Sequence, residues 1–453
     1  MTGTFRSAAE IGRTERGPRP LPGLAVQRPP SRLSEVDAVL GGLRVIAVHR
    51  PAVPVVELRL LLPFADTNPR HPARAELLAA TLLSGTATRD RTAIDTDLAL
   101  VGGELSTSVT PEWLTISGTA LASGLDALLD VLADALTAAA YRDNEVLRER
   151  DRLTERIKVA SAQPGTIARR ALLRDRYGDH PLARETPDVP QVVDVSPAEV
   201  AELHRVAVCA SGAVLVLVGA IDPDQATAAV ARALDGWSGK RPPADLPDLP
   251  VAKGGDLLLV PRAGAAQSRL AFHAPGVGLG DPRHPAVHLA NLAFAGFFSS
   301  RLVRNIREEK GYTYFTRSYL EYALGGGALA LEADTAGDTT AATVLEIRYE
   351  LGRLSLVPLE GAELDTVRRY AIGSELTANA SVCGLASRIA ELAAAGLGTA
   401  WPTEHSARLA DVTADEVTTA ASEFFAPARW TGVVVGDDGL LGGLRGLSDV
   451  RLQ

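Results

Sequence analysis

The chain has 453 residues, 46% hydrophobic and 22% charged, enough for a large core and more than one ordinary domain holds. A net charge of −9, from 46 basic and 55 acidic residues, argues against the basic face of a nucleic-acid binder. Two cysteines, Cys209 and Cys383, are too few for a secreted disulfide framework or a cysteine-built metal centre, and both are expected as buried thiols.

Residues 1–35 read as a disordered lead: "MTGTFRSAAEIGRTERGPRPLPGLAVQRPP" is rich in Pro, Gly and Arg and lacks the apolar segment of a secretory signal. No run approaches the roughly 18 apolar residues of a membrane span. A cytoplasmic protein without membrane or nucleic-acid partners is therefore expected. "LRVIAV" and "VVELRLLL" then read as strands. "PRHPA" places a turn and a proline before the helical "ELLAATLLSG". "LTISGTAL" and "AVLVLVGA" are further strands, and "LDALLDVLADALTAA" is a helix between them. "VSPAEVAELH" carries a capping box, Ser196 with Glu199.

The second half repeats this grammar. "NPRHPARAELLAATLL" (68–83) returns as "DPRHPAVHLANLAFA" (281–295), with Pro69 and Pro282 lying 213 residues apart. "DVSPAEV" returns 217 residues later as "DVTADEV", where Thr413 and Glu416 form the second capping box. The same 217 carries Gly219 of "VLVGAID" onto Gly436 of "VVVGDDG". That period is far longer than a solenoid repeat and marks a duplicated domain. The proline-rich "GWSGKRPPADLPDLPVAKGG" makes 236–255 a linker between domains 36–235 and 256–453. Strands mixed with helices in each copy predict an α+β fold, each domain a mainly antiparallel sheet with helices largely on one face.

Within this frame, "SSRLVRNIREEKGYTYFTRS" (299–318) resembles the second-domain signature of the pitrilysin/insulinase-type zinc peptidases. "GGLRVIAVHRP", "LLSGT", "LALVGGELSTSV" and "VLVGAIDP" fall in the family's order. The resemblance covers most of the chain beyond about residue 35 and, with this length, points to the half-size branch, in which two separate chains close as a clamshell around a peptide.

That family holds zinc through His-x-x-Glu-His on a helix plus a distant Glu. Aligned on "SGT", the motif's functional positions fall here on Glu76, Ala79 and Ala80, so both histidines and the base are missing. In "RERDRLTERIKVASAQP" the paired acidic positions map to Glu149 and Arg156, with Glu155 as the reading one residue out of step. A methyl group neither binds metal nor moves a proton, and Arg156 brings a cation to a cation's place. Among the eight histidines, His284 and His288 alone sit at metal-like i, i+4 spacing; the match of His284 to His71 favours a turn residue.

The resemblance also implies what remains. The family's Arg–Tyr pair maps to Arg307 and Tyr314, where it binds substrate backbone across the chamber from the zinc. Gly311 is expected to cap the helix, with Tyr312 and Tyr314 on one strand face, and Arg301 is expected in a structural ion pair. "VGGELSTSVTPEWLTI" resembles the edge strand to which a peptide adds, with Ser106 where the family has Asn. These features imply a zinc-less, substrate-binding subunit of a heterodimeric metallopeptidase. It holds no cofactor itself; zinc is expected in a homologous partner with an intact His-x-x-Glu-His, and the ligand is a peptide. The competing readings are a peptidase-derived scaffold subunit and a peptide-binding homodimer; a self-sufficient enzyme comes last.

Overall fold

The duplicated sequence builds the same sheet twice. A computed structural model describes residues 33–250, 254–323 and 326–453. The first sheet comprises β1 (Ser34–Leu40), β2 (Leu43–His49), β3 (Val55–Pro63), β4 (Glu104–Val109), β5 (Trp113–Leu121) and β6 (Val214–Gly219). Its order is β1-β2-β6-β3-β5-β4. The second comprises β7 (Leu257–Pro261), β8 (Gln267–Gly276), β9 (Phe315–Ala323), β10 (Gly326–Ala336), β11 (Thr431–Gly436) and β12 (Val450–Leu452), in the order β12-β7-β11-β8-β10-β9. The orders coincide except at one outer strand, where β1 pairs antiparallel with β2 and β12 pairs parallel with β7. Among the described residues the other parallel pairs are β2–β6 and β7–β11 alone, so both sheets are mainly antiparallel in an α+β fold.

Seven helices position the features discussed below: α1 (His71–Thr81), α2 (Asp143–Ser161), α3 (Pro164–Tyr177), α4 (His284–Asn291), α5 (Thr340–Leu356), α6 (Val382–Ala394) and α7 (Trp401–Asp411). Helices α1 and α4 both start at a histidine followed by proline, the residue whose missing N–H costs nothing in a first turn. Both capping boxes form, Ser196 with Glu199 and Thr413 with Glu416.

The periodicity of two along β6 shows how the layers stack. Leu215 and Leu217 face a core shared with Leu77 and Leu78 of α1. Val214, Val216 and Val218 face the other way, onto Leu385, Ala386 and Ile389 of α6, a helix from the second half. Reciprocally, Ala168, Ala171 and Leu172 of α3, from the first half, cover Val433 and Val435 of β11. Each half therefore packs its own helices on one sheet face and lends one helix to the back of the other sheet. Truncating Ile389 to alanine in that contact carries a cost of about 2–5 kcal/mol.

Two expectations need amendment, those for the lead and for span-length apolar runs, while the linker falls partly outside the described residues. The lead over 1–35 lies outside the described residues up to 32, and β1 already begins at Ser34. In the linker, 251–253 also lie outside them, and 238–250 contain neither helix nor strand. His284–Glu309 is long and apolar enough by composition to cross a membrane, but 67% of its most apolar window is buried in the fold.

Candidate substrate-binding site and degenerate metal position

Helix α1 lies between edge strand β4 and helix α2. Leu77 and Leu78 turn into the core, while Thr107 of β4 donates to the Ala79 carbonyl at 2.5 Å and ties the helix to the edge strand. Glu76 is left at the surface facing Arg156 of α2, whose Nη2 lies 3.9 Å from Oε2. The structure thus brings together two positions that the sequence comparison had joined only through an alignment. Glu155 points elsewhere and pairs with Lys158 at 2.7 Å, while Glu149 pairs with Arg152 at 2.8 Å.

Burial raises the Glu76 carboxyl above the ordinary glutamate range, and the nearby Arg156 charge opposes that shift. With Glu76 29% and Arg156 65% exposed, the pair contributes at most about 1 kcal/mol. The donor set does not fit zinc: one carboxylate, two methyl groups at Ala79 and Ala80, and a guanidinium that repels the ion. Among the described residues, no group of three His, Cys, Asp or Glu side chains is arranged to hold a metal.

At the other end of the chain, the helical turn Arg301–Val303 runs into a wide π-type turn over Arg304–Glu309. Such turns need specific support, and polar bonds supply it here. The Asn305 amide donates to Glu346 at 2.9 Å and Glu350 at 2.8 Å on α5, and its oxygen accepts from Lys310 at 2.6 Å. Arg301 is buried in a two-toothed bond to Glu363, the structural pairing expected of it. Gly311 ends the helix at φ 64°, a left-handed conformation that favours glycine.

The next turn is pinned as firmly. The Tyr312 N–H donates to the Ile306 carbonyl at 2.8 Å, and Thr335 donates to the Tyr312 carbonyl at 2.9 Å. Thr313 donates to the Asp334 carbonyl and accepts the Phe315 N–H at 3.0 Å. Tyr314 projects from this turn 95% exposed. Strand β9 starts at Phe315, so Tyr312 and Tyr314 precede the strand and do not share one of its faces; Thr313 holds the backbone in a turn there. Arg307 stacks over Phe298 at 5.1 Å and lies 3.5 Å from Glu308. No hydrogen bond, ion pair or ring contact joins Arg307 to Tyr314 among the described residues. The structure therefore presents two independent exposed donors.

Ser106 is exposed on β4, opposite Ser117 of β5, and β4 is the outermost strand of its sheet. Among the described residues no further strand pairs with its outer side.

Two features escaped the sequence. His405 of α7 joins the His284–His288 pair, with ring centroids 4.9 Å and 5.8 Å away, and stacks on Trp401 at 4.2 Å. Burial pushes His284 down to about 3, His288 to about 4 and His405 to about 2, and the charge of Arg388 adds to it. His284 is bonded to the Tyr322 hydroxyl at 2.8 Å, so it is more than the turn residue the duplication suggested. The i, i+4 spacing was a visible signal; nothing local announced His405. The second correction is Cys383, which is exposed rather than buried: it sits in the first turn of α6, with Arg59 donating to its sulfur at 3.0 Å.

Comparison with known proteins identifies the family. The profile described as insulinase (peptidase family M16) matches residues 68–188, and that described as peptidase M16 inactive domain matches 194–370. The chain belongs to the insulinase, or M16, peptidase family. It is similar to an uncharacterized zinc protease of Streptomyces coelicolor, 26% identical over 62% of this chain and 62% of that protein. It is also similar to the uncharacterized zinc protease YmxG of Bacillus subtilis, 22% identical over 74% of this chain and 81% of that one. Among solved structures, an M16 inactive domain from Pseudomonas fluorescens superposes with a TM-score of 0.83 at 20% identity, covering 90% of this chain and 98% of that one. A Helicobacter pylori protease gives 0.82 at 16% identity, covering 89% and 99%.

Proposed function

We propose that this chain is the zinc-less, substrate-binding subunit of a two-chain M16 metalloendopeptidase. The carrying observation is an opposition within one molecule. The Glu76–Arg156 ion pair supports reading its face as a degenerate metal position, while Tyr314 stands almost fully exposed on a turn held by four hydrogen bonds. A phenol and a guanidinium are hydrogen-bond donors suited to peptide carbonyl oxygens, and arginine stays charged at every working pH. Zinc and the general base come from a homologous partner with an intact His-x-x-Glu-His. The peptide lies along the free edge of β4, and closure of the two chains excludes water from the chemistry. Proteolysis by the pair in the cytoplasm is part of this reading.

Co-expression with such a partner, co-purification and a peptidase assay test it. Tyr314→Phe and Arg307→Ala are each expected to lower kcat/KM about a hundredfold, the lower end for a lost transition-state donor, without loss of assembly. Unchanged turnover in both variants would instead favour a scaffold subunit.

A further inference from the structure

Helices α1 and α4 each start at a histidine, His71 and His284, and both rings are buried. In the second copy Nε2 of His284 is bonded to the Tyr322 hydroxyl at 2.8 Å, with the two ring centroids 5.7 Å apart. In the first copy neither ring nitrogen of His71 has a hydrogen-bond partner, although its side chain is only 5% exposed. The Asp66 carboxylate stops 4.0 Å from Nδ1. A buried imidazole in this state has given up its bonds to water for nothing in return.

The sheet registers locate the missing partner. The repeat matches Val218 to Val435. Followed outward from these, Glu57, Thr119 and Glu104 of the first sheet match Arg269, Asp334 and Phe315 of the second. Seven residues on from Glu104 and Phe315, the position of Tyr322 is taken by Pro111. Strand β4 has already ended at Val109, and proline carries no side-chain hydroxyl. Between the matches of the bonded pair, His71 and Pro111, lies a pocket of about 20 Å³, also lined by Pro72, Ala75, Val109 and Thr110. That is room for one hydroxyl group or one water.

The ionic groups around the pocket are already engaged. Asp66 pairs with Arg241 at 3.0 Å and Glu185 with Arg169 at 2.6 Å, while Glu76 faces Arg156 at 3.9 Å. Arg184 donates to the carbonyls of Thr67 and Asp179. Burial pushes His71 down to about 4, against the opposing pull of Asp66 and the Phe64 carbonyl, so the ring is neutral at pH 7. A neutral imidazole offers one donor and one acceptor, and a hydroxyl can answer either. The apolar rim of Pro72, Val109 and Pro111 suits an aromatic ring behind that hydroxyl.

We infer that this pocket takes the hydroxyl of a tyrosine side chain of the bound polypeptide, held by His71 as Tyr322 is held by His284. That the ligand is a polypeptide rests on the subunit reading; the preference for a phenol rests on the pocket. Val109 closes β4 and lines the pocket, so a peptide paired along that strand brings a side chain to its mouth.

The test titrates the purified full chain, without a partner, with three dye-labelled peptides that differ only in a central tyrosine, phenylalanine or serine, followed by fluorescence anisotropy. The tyrosine peptide is expected to bind at least about fivefold more tightly than either of the others. His71→Phe keeps a ring beside Phe64 and removes both nitrogens. With its fold checked by circular dichroism, this variant is expected to bind the tyrosine and phenylalanine peptides alike. On the unaltered chain, a photo-crosslinking residue placed next to the tyrosine is expected to attach within 66–76 or 106–111. Equal or unmeasurable affinity for the three peptides, attachment elsewhere, or a tyrosine preference that survives in folded His71→Phe overturns the assignment. Serine binding as tightly as tyrosine overturns the phenol. Any of these, with the reconstituted pair still dependent on Tyr314, leaves the subunit reading standing. A His71-dependent tyrosine preference with no partner able to restore hydrolysis does the reverse.

Discussion

Helices α1 and α4 begin with the same His-Pro step 213 residues apart, yet their corresponding positions meet opposite surroundings. In α1, Glu76 and Ala80 stay partly exposed, with Glu76 facing Arg156. In the second half the matching residues are Leu289 and Ala293, and both are buried in the core; only the third position is alike, with Ala79 and its match Leu292 both buried. The shared turn fixes where the helix starts; the neighbouring elements decide whether the following face becomes core or surface. The first half thus keeps Glu76 and Ala80 on an accessible face, and the second buries the matching Leu289 and Ala293. The second half instead carries its exposed donors one segment later, at Arg307 and Tyr314.

The largest effect that would sharpen this contrast is a gain of metal. Glu76→His, Ala79→Glu, Ala80→His and Arg156→Glu combined should convert the chain from no bound zinc to one zinc per chain, measured by elemental analysis after dialysis. Failure to take up zinc would mean that these faces do not converge as the ion pair implies. Next comes stability. Leu289→Glu buries an unpaired carboxylate and should cost more than about 4 kcal/mol, whereas Glu76→Leu should change stability by no more than about 1 kcal/mol in urea denaturation. Equal costs would erase the distinction between the two faces.

A smaller and graded effect comes from the histidines of α4 and α7. Their folded pKa values, about 3, 4 and 2, lie below the ordinary value near 6.5. The unfolded chain therefore takes up protons first as pH falls. Their contribution is complete above about pH 6.5 and is lost on acidification toward pH 4, at about 1.4 kcal/mol per pH unit for each histidine. Arg388 and Arg408 lie close enough to disfavour the charged form of His284 and His405, and Asp281 partly offsets them at His284. His405→Phe should flatten the acid limb of stability against pH by roughly one third of the three-histidine slope. An unchanged limb would show that the cluster does not govern acid sensitivity.

Much of the architecture was legible because duplication supplies its own control. The 217-residue repeat placed β6 and β11, and the twin capping boxes located two helix starts, since both signals are local in the chain. The exchange of α3 and α6 was not legible. Ala168, Ala171 and Leu172 make an apolar stripe, but a stripe does not say which sheet it covers. His405 joined two residues more than a hundred positions away through tertiary packing alone. The start of β9 was misread because Tyr312 and Tyr314 alternate like a strand, while the Thr313 hydroxyl bonds that hold a turn leave no mark in the pattern. In the site, spacing and resemblance located Glu76 and Arg156 separately; only the fold put them within 3.9 Å.

The most direct test is to assay the purified chain, free of any partner, for bound zinc and for peptide hydrolysis in zinc-supplemented buffer. An inert half-shell predicts substoichiometric metal and no cleavage above a no-protein control. One tightly held zinc per chain together with sustained hydrolysis by this polypeptide alone would contradict the account.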